Sequence, residues 1–344
     1  GLSNPQGAGE REGVRVAVFD TSPFRRPGLL EFESKRIDPP LYLRVSLPEP
    51  LAPVRPAGPT FDYSDHGLFV SSLVHAVASK SEIHLIRVLN AQNLGELGTL
   101  VRALVGFLGL DSLQPDSSLV GTVINLSLGM LDEAAPGGPP WTGGMAPPRS
   151  LPFGMTNYIA QLDRELKSTR DRRLAKMPVV HLETVLGAAW MLGANIFAAA
   201  GNDSDTDPPP KGPKGPRIPA CYPFVTGVAG HDRKGKRCKF SNKGDIAAPA
   251  GHISPDDPLL DREDCAYNPD DWLMGLSEVN APISGYMYWM GTSFATPLVA
   301  GLAARLQGQG YTPEGALQEI TSKAVHPNPS KKDPALGKGC AKAH

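Results

Sequence analysis

The feature that most restricts the fold of this chain is an alternation of short, β-rich apolar runs with stretches of helical period. Val14-Arg-Val-Ala-Val-Phe19 reads as a strand that delivers Asp20-Thr21-Ser22 at its tip. From Phe69 through Val70, Leu73, Val74, Val77 and Ala78 the apolar period is helical, and Asp65-His66-Gly67 opens that element. A strand over Ile83–Leu89, a helix over Leu100–Leu110 and a strand over Gly121–Gly129 follow. A helix over Pro178–Leu192, a strand over Ala194–Ala200 and a strand over Phe224–Ala229 continue the pattern. Such alternation predicts an α/β fold with a mainly parallel central sheet, helices on both faces and sites at the strand tips.

The segments between these elements set the organisation. Residues 1–13 read as a tail, and 23–60 as Pro-rich surface connection with a short strand at Leu41–Val45. One domain is expected over 14–309, with insertions at about 131–177, 203–218 and 251–285, followed by a C-terminal helix and tail over 310–344. Within the first insertion, Tyr158 to Lys176 has the pattern of a charged surface helix; the stretch 251–285 is acidic and irregular. The last helix is expected over Pro313–Lys323.

A formal net charge of -1, from 34 Lys+Arg against 35 Asp+Glu, makes no electrostatic case for nucleic acid or a membrane surface. The apolar runs are too short to span a bilayer. Position 1 is Gly rather than Met, compatible with removal of a leader, a pro-segment or a preceding domain. Cys221, Cys238, Cys265 and Cys340 are too irregularly spaced for a zinc or redox motif, although Cys221 and Cys238 flank one strand and turn. Secretion and an intracellular location both fit this composition.

Chemistry concentrates around Gly291-Thr292-Ser293-Phe294-Ala295-Thr296-Pro297. Phe294, Ala295, Leu298, Val299, Leu302 and Ala303 recur as in a mostly buried helix, and Pro297 falls where a first turn tolerates a missing N–H. Ser293 therefore stands at the positive end of a helix, either as its cap or as a nucleophile. Taken singly, Asp20 reads as a turn residue, His66 as a helix-start residue and Asn202 as part of a turn. Their chain order is Asp, His, Ser, and sequence distance alone does not bring the three groups together.

Four ordered segments resemble the subtilisin-like serine proteases, the subtilases, from about Val14 to Gln309: Phe19-Asp20-Thr21-Ser22, Asp65-His66-Gly67-Leu68-Phe69-Val70, Ala199-Ala200-Gly201-Asn202 and the serine segment itself. Ser22 stands where that family has glycine, and Leu68-Phe69 where it has Thr-His, neither of them a reacting group. The resemblance implies a subtilisin-like three-layer sandwich and a serine endopeptidase with Asp20, His66 and Ser293 as triad and Asn202 as oxyanion donor. It also implies that Asn93-Leu94-Gly95 and Ser127-Leu128-Gly129 run beside an extended polypeptide. Ala199-Ala200-Gly201 would then wall the first specificity pocket, with Ala199 and Gly201 leaving room for a large side chain.

No cofactor is required for such chemistry. The family resemblance allows a structural calcium ion, with acidic residues at Asp203, Asp205 and Asp207 and between Asp256 and Asp264, but no spacing assigns a ligand. A pro-segment, an inhibitor or a regulatory domain are compatible partners beside the substrate. Two other readings share these residues: a catalytically silent or gated peptide-binding module, and an esterase or acyl-transfer enzyme.

Overall fold

The computed structural model describes residues 13–32, 37–47, 62–109, 121–130, 178–204, 212–251, 272–280, 285–327, 330 and 332–342. Its main sheet is built from β1 (Arg15–Asp20), β2 (Gly28–Phe32), β3 (Leu41–Ser46), β4 (Glu82–Arg87), β5 (Val123–Leu126), β6 (Asn195–Ala199), β7 (Thr226–His231) and β8 (Ile246–Pro249). They lie in the order β2-β3-β4-β1-β5-β6-β7-β8. Every neighbouring pair is parallel except the edge pair of β2 and β3. This is the mainly parallel α/β sandwich expected from the alternation.

Strand β1 shows why the layers form. Val16 and Val18 face one core, with α1 (His66–Val77) and α4 (Thr292–Gly308). Ala17 and Phe19 face the other, with α2 (Leu97–Phe107) and α3 (Pro178–Met191). Residues at successive positions point to opposite faces, so a strand covered on both sides is apolar throughout. The C-terminal helix α5 (Pro313–Lys323) packs on α4.

After β1 the chain fills one side of the sheet with β2, β3 and β4, and from β5 it proceeds the other way, to β6. The gap between the tips of β1 and β5 is thus the point at which strand order reverses, where open α/β sheets form their crevice. The long helix α4 runs beneath β1 and β5 through β8.

Two expectations need correction. The stretch 23–60 was expected to hold one short strand, yet it contains β2 as well. As an edge strand with Leu29 exposed and Leu30 only half-buried, β2 lacks a clean alternation. The stretch 251–285, expected to be irregular, contains β9 (Leu273–Leu276), which pairs antiparallel with β10 (Tyr286–Trp289). A Cβ on Gly275 would lie 2.6 Å from the Phe69 ring, so this glycine lets the hairpin lie against α1. The expected helix over Tyr158–Lys176 and most of the three insertions lie outside the described residues.

Candidate active site

Asp20 ends the central strand and is fully buried. Its Oδ1 accepts from Thr21 N–H at 2.7 Å and from His66 Nδ1 at 2.7 Å. A carboxylate can only accept, so Nδ1 carries the ring proton and Nε2 is left with its lone pair. The close approach depends on Gly67, where a Cβ would stand 2.1 Å from the Thr21 carbonyl oxygen. Thr21 fastens the junction, its hydroxyl accepting from Gly67 N–H at 3.0 Å while reaching the carbonyls of Tyr63 and Ser64.

The His66 ring, in turn, is packed against aromatic groups. Trp289 meets it edge-on at 5.3 Å and Phe294 at 5.1 Å, and both also contact Phe69. Phe294 directly follows Ser293, so this ring contact brings His66 to the helix turn that bears Ser293. Among the described residues no hydrogen bond joins His66 to Ser293. Such bonds are often long in the absence of substrate and shorten in the Michaelis complex.

Ser293 is not the helix cap. Gly291 occupies the cap position with φ 145°, and α4 begins at Thr292. Pro297 is the sixth residue of that helix, beyond the tolerant first turn. Its missing N–H leaves the carbonyl of Ser293, four residues back, without an intrahelical donor. The Ser127 hydroxyl supplies that donor at 2.6 Å, and is itself fixed by Asn125 Nδ2 at 2.9 Å. Ser127, expected to contact substrate, thus has a side chain committed to holding the helix start that carries Ser293.

Asn202 follows β6 and caps α4 from outside. Its Oδ1 accepts from Thr292 N–H and from the Thr292 hydroxyl, both at 2.9 Å. Because the main-chain donor fixes which end of the amide is oxygen, Nδ2 is presented as a donor beside Gly291, 3.2 Å from where a Cβ there would be. The site thus offers an exposed amide N–H next to the first turn of a helix, where negative charge is favoured.

Asn93, Leu94 and Gly95 belong to a turn just past β4, closed by Asn90 N–H donating to Leu94 O at 2.8 Å. Asn93 has φ 59°, Leu94 is 60% exposed, and a Cβ on Gly95 would press to 2.4 Å from Val88 O. Leu128 and exposed Gly129 leave β5, and Met130 N–H bonds Ile218 O at 2.9 Å. Ala199 and Ala200 are buried, with Ala200 O accepting from Arg217 N–H at 2.9 Å. Gly201 has φ 110°, and the space beside it is taken by Asn242 Nδ2 and Arg217 Cγ, at 2.6 and 2.7 Å from an added Cβ. A side chain on Gly201 itself is therefore excluded.

Two carboxylates make contacts that the sequence did not indicate. Asp65, fully buried, accepts from Ser277 Oγ at 2.7 Å and from the N–H groups of Glu278, Val279 and Asn280 at 2.8–2.9 Å. It ties the β9–β10 hairpin to the residue before His66, across more than two hundred positions of sequence. Asp203 grips Arg217 through two bonds, to Nε at 3.0 Å and Nη2 at 2.7 Å. Burial raises the Asp203 pKa, but the hydrogen bonds from Arg217 and Asn242 outweigh it and hold the carboxyl below its ordinary range.

Among the described residues no group of three or more His, Cys, Asp or Glu is arranged to hold a metal. Asp203 is occupied by cationic partners, while Asp205, Asp207 and the acidic run from Asp256 to Asp264 lie outside the described residues. Cys221, Cys238 and Cys340 are free thiols, and burial pushes that of Cys238 up to about 12. No helix among the described residues is long and apolar enough to cross a membrane.

A family model described as the Subtilase family matches residues 57–339. That span includes His66, Asn202 and Ser293 but begins after Asp20, which the structure places on His66. Thermitase of Thermoactinomyces vulgaris is 30% identical over 143 residues, 42% of this chain and 41% of thermitase. A thermophilic serine proteinase from Bacillus sp. is 31% identical over 134 residues, 38% of this chain and 25% of that protein. The alignments therefore span less than half the length of these relatives. Among solved structures, a Staphylococcus aureus epidermin leader peptide processing serine protease is similar in fold, with TM-score 0.60 and 20% identity over 96% of this chain and 74% of that one. A lanthipeptide protease has TM-score 0.57 and 16% identity over 95% of this chain and 85% of its own.

Proposed function

This chain belongs to the subtilase family, and from that membership we propose that it is a serine endopeptidase working through Ser293, His66, Asp20 and Asn202. The observation that carries the reading is the buried 2.7 Å bond from His66 Nδ1 to Asp20, which leaves the Nε2 lone pair free on a ring that packs against Phe294, the residue after Ser293. Ser293 Oγ attacks the carbonyl carbon of an extended polypeptide as His66 Nε2 takes its proton. Asp20 holds the tautomer and offsets the imidazolium charge without taking the proton itself. The tetrahedral oxyanion receives the Asn202 Nδ2–H and the Ser293 backbone N–H at the positive end of the helix.

Collapse of the intermediate breaks the C–N bond, and His66 returns the proton to the leaving amine. Water, deprotonated by the same nitrogen, then attacks the acyl carbon; collapse breaks the bond to Ser293 Oγ, which takes the proton back from His66 and frees the acid. Each step draws its proton carrier and charge stabilisation from the chain's own groups. The substrate backbone is taken to run between the turn bearing Asn93, Leu94 and Gly95 and the segment Ser127, Leu128 and Gly129, with Ala199, Ala200 and Gly201 opposite. A pro-segment, an inhibitor or a regulatory domain laid along the same tips would compete with it.

The test is intact mass after a fluorophosphonate probe, with parallel cleavage of peptide and ester substrates. One label per chain, lost in Ser293→Ala and His66→Ala, together with peptide cleavage is the expected result. A folded wild-type protein that neither labels nor cleaves overturns the reading, and labelling with ester turnover alone would make it an esterase.

A further inference from the structure

We propose that Arg217, clamped by Asp203, is the residue that selects the substrate side chain on the acyl side of the scissile bond, favouring a short, acceptor-bearing and above all acidic one. This rests on the peptidase reading above and gives that site its substrate class. The argument starts from position. Ser127, just past β5, holds the carbonyl of Ser293, and Asn202, just past β6, caps the same helix. An acyl carbon at Ser293 whose oxygen points to Asn202 therefore lies above the gap between those two chain exits. Its side chain begins about 2.5 Å from the reacting carbon, two ordinary bonds away, and enters the neighbouring space first.

Arg217 stands in that gap. Its backbone N–H bonds Ala200 O, and the next residue, Ile218, accepts from Met130 N–H. Its Cβ lies 3.3 Å from where a side chain on Gly129 would begin, and its Cγ 2.7 Å from the same point on Gly201. Both walls carry glycine because the arginine stem runs between them. The side chain is three-quarters covered, 24% exposed, so it is a packed element of the site rather than a loose surface group.

Charge decides what the remaining space prefers. Both Asp203 oxygens are engaged: Oδ1 by Arg217 Nε and Asn242 Nδ2, Oδ2 by Arg217 Nη2 and Lys214 Nζ. Two cations against one anion leave a net positive cluster, and the guanidinium N–H groups not bound to Asp203 can only donate. A lysine or arginine side chain meets like charge there, and a long apolar one meets the arginine stem. A short carboxylate or carboxamide meets unspent donors.

The experiment compares acetyl-Ala-Ala-X p-nitroanilides, with X as Asp, Asn, Ala, Phe or Lys, by kcat/KM. Binding of the matching acetyl-Ala-Ala-X amides to Ser293→Ala is measured by calorimetry. Asp is expected at least tenfold above Phe and Lys in both readouts. Arg217→Ala should lower Asp and raise Phe, each about tenfold or more, and Arg217→Lys should keep the acidic preference at a smaller ratio. Should the alanine variant fail to fold, the wild-type order and the lysine variant decide. Preference for Phe or Lys in the wild type, an unchanged order in the variants, or no ranking in either readout overturns the proposal. Absence of turnover and of probe labelling with an intact Asp preference in binding would instead remove the peptidase reading alone.

Discussion

Ser293 stands between two flanks built on opposite principles. On the His66 side, Trp289 and Phe294 pack against the imidazole with Phe69 behind them, and the ring itself bonds one buried carboxylate, Asp20. On the Asn202 side, Asn125 and Ser127 hold the Ser293 carbonyl, Asn202 holds Thr292, and Asp203 holds Arg217 and Asn242. A proton carrier needs one defined tautomer, and a dry surrounding strengthens the single bond that sets it. Stabilising an oxyanion and sorting substrates instead need several donors at fixed angles. On the proposed mechanism the first flank would set proton transfer, and the second would set charge stabilisation and selectivity.

The largest effect should come from the dry flank. His66→Ala is expected to lower kcat on the order of 10⁶-fold, and steady-state kinetics on a folded variant checks this. Asn202→Ala on the other flank should lower kcat by roughly 10²–10³-fold with peptide binding retained. Asn202 also caps α4, so the alanine variant should lose about 1 kcal/mol of stability as well. Asn202→Asp separates the two roles. It keeps an oxygen for Thr292 N–H but removes the amide donor, so stability should hold while kcat falls at least as far as in the alanine variant. Recovery of activity in the aspartate variant would show that Asn202 works by capping alone.

An intermediate effect is expected from Asp65, which joins the flanks' outer wall to the helix start. Asp65→Asn keeps one accepting oxygen and turns the other into an N–H donor, set either against Glu278 N–H at Oδ1 or against the Ser277 hydroxyl and the Val279 and Asn280 N–H groups at Oδ2. Leaving such buried groups unmatched costs about 1–3 kcal/mol, read as a lower Tm. If the hairpin also positions Trp289 over His66, kcat should fall by about 10- to 100-fold while KM moves less. A lower Tm with unchanged kcat would confine Asp65 to a structural role and weaken the claim that the aromatic flank orders the base.

How much of this was legible in the sequence follows the range of the interactions. β1, α1 and α4 declare themselves through apolar periods that local sterics and burial impose, and the serine segment is continuous, so its position at a helix start could be read directly. The pairing of Asp20 with His66 needed the family resemblance, because sequence distance carries no information on contact. Pro297 was placed in the first turn because the helix start was set two residues late, with Ser293 rather than Gly291 at the cap. The compensating bond from Ser127, 166 positions away, leaves no local trace. Arg217 sits in a Pro/Gly/Lys stretch that reads as exposed loop, and its fit between Gly129 and Gly201 exists only once β5 and β6 are neighbours. Strand β2 was missed for a different reason: at the sheet edge no burial forces an alternating pattern on it.

The smallest expected effect compares the flanks by pH. His75 lies on α1, beneath the dry flank, and its pKa is lowered by burial, only partly opposed by its bond to Pro39 O at 2.8 Å. His231 ends β7, next to the residues that meet Thr292, and is lowered by burial against a smaller opposing contribution from Asp232. Both rings are neutral in the fold, with values below the unfolded reference of about 6.5. The unfolded chain therefore binds more protons between the two values, so stability is complete above about pH 6.5 and declines as pH falls toward the folded pKa values. Each ring can contribute at most about 1.4 kcal/mol per pH unit in that window. Tm should accordingly fall between pH 7.5 and 5.5, with His84, lowered chiefly by burial, adding in the same sense. His231→Gln and His75→Gln should each flatten the profile. Hydrogen exchange at pH 5.5 then tells which side loosens first: faster exchange at Thr292 and Gly201, corrected by His231→Gln, places the acid-sensitive contact on the polar flank. Faster exchange along α1, corrected by His75→Gln, places it under the base.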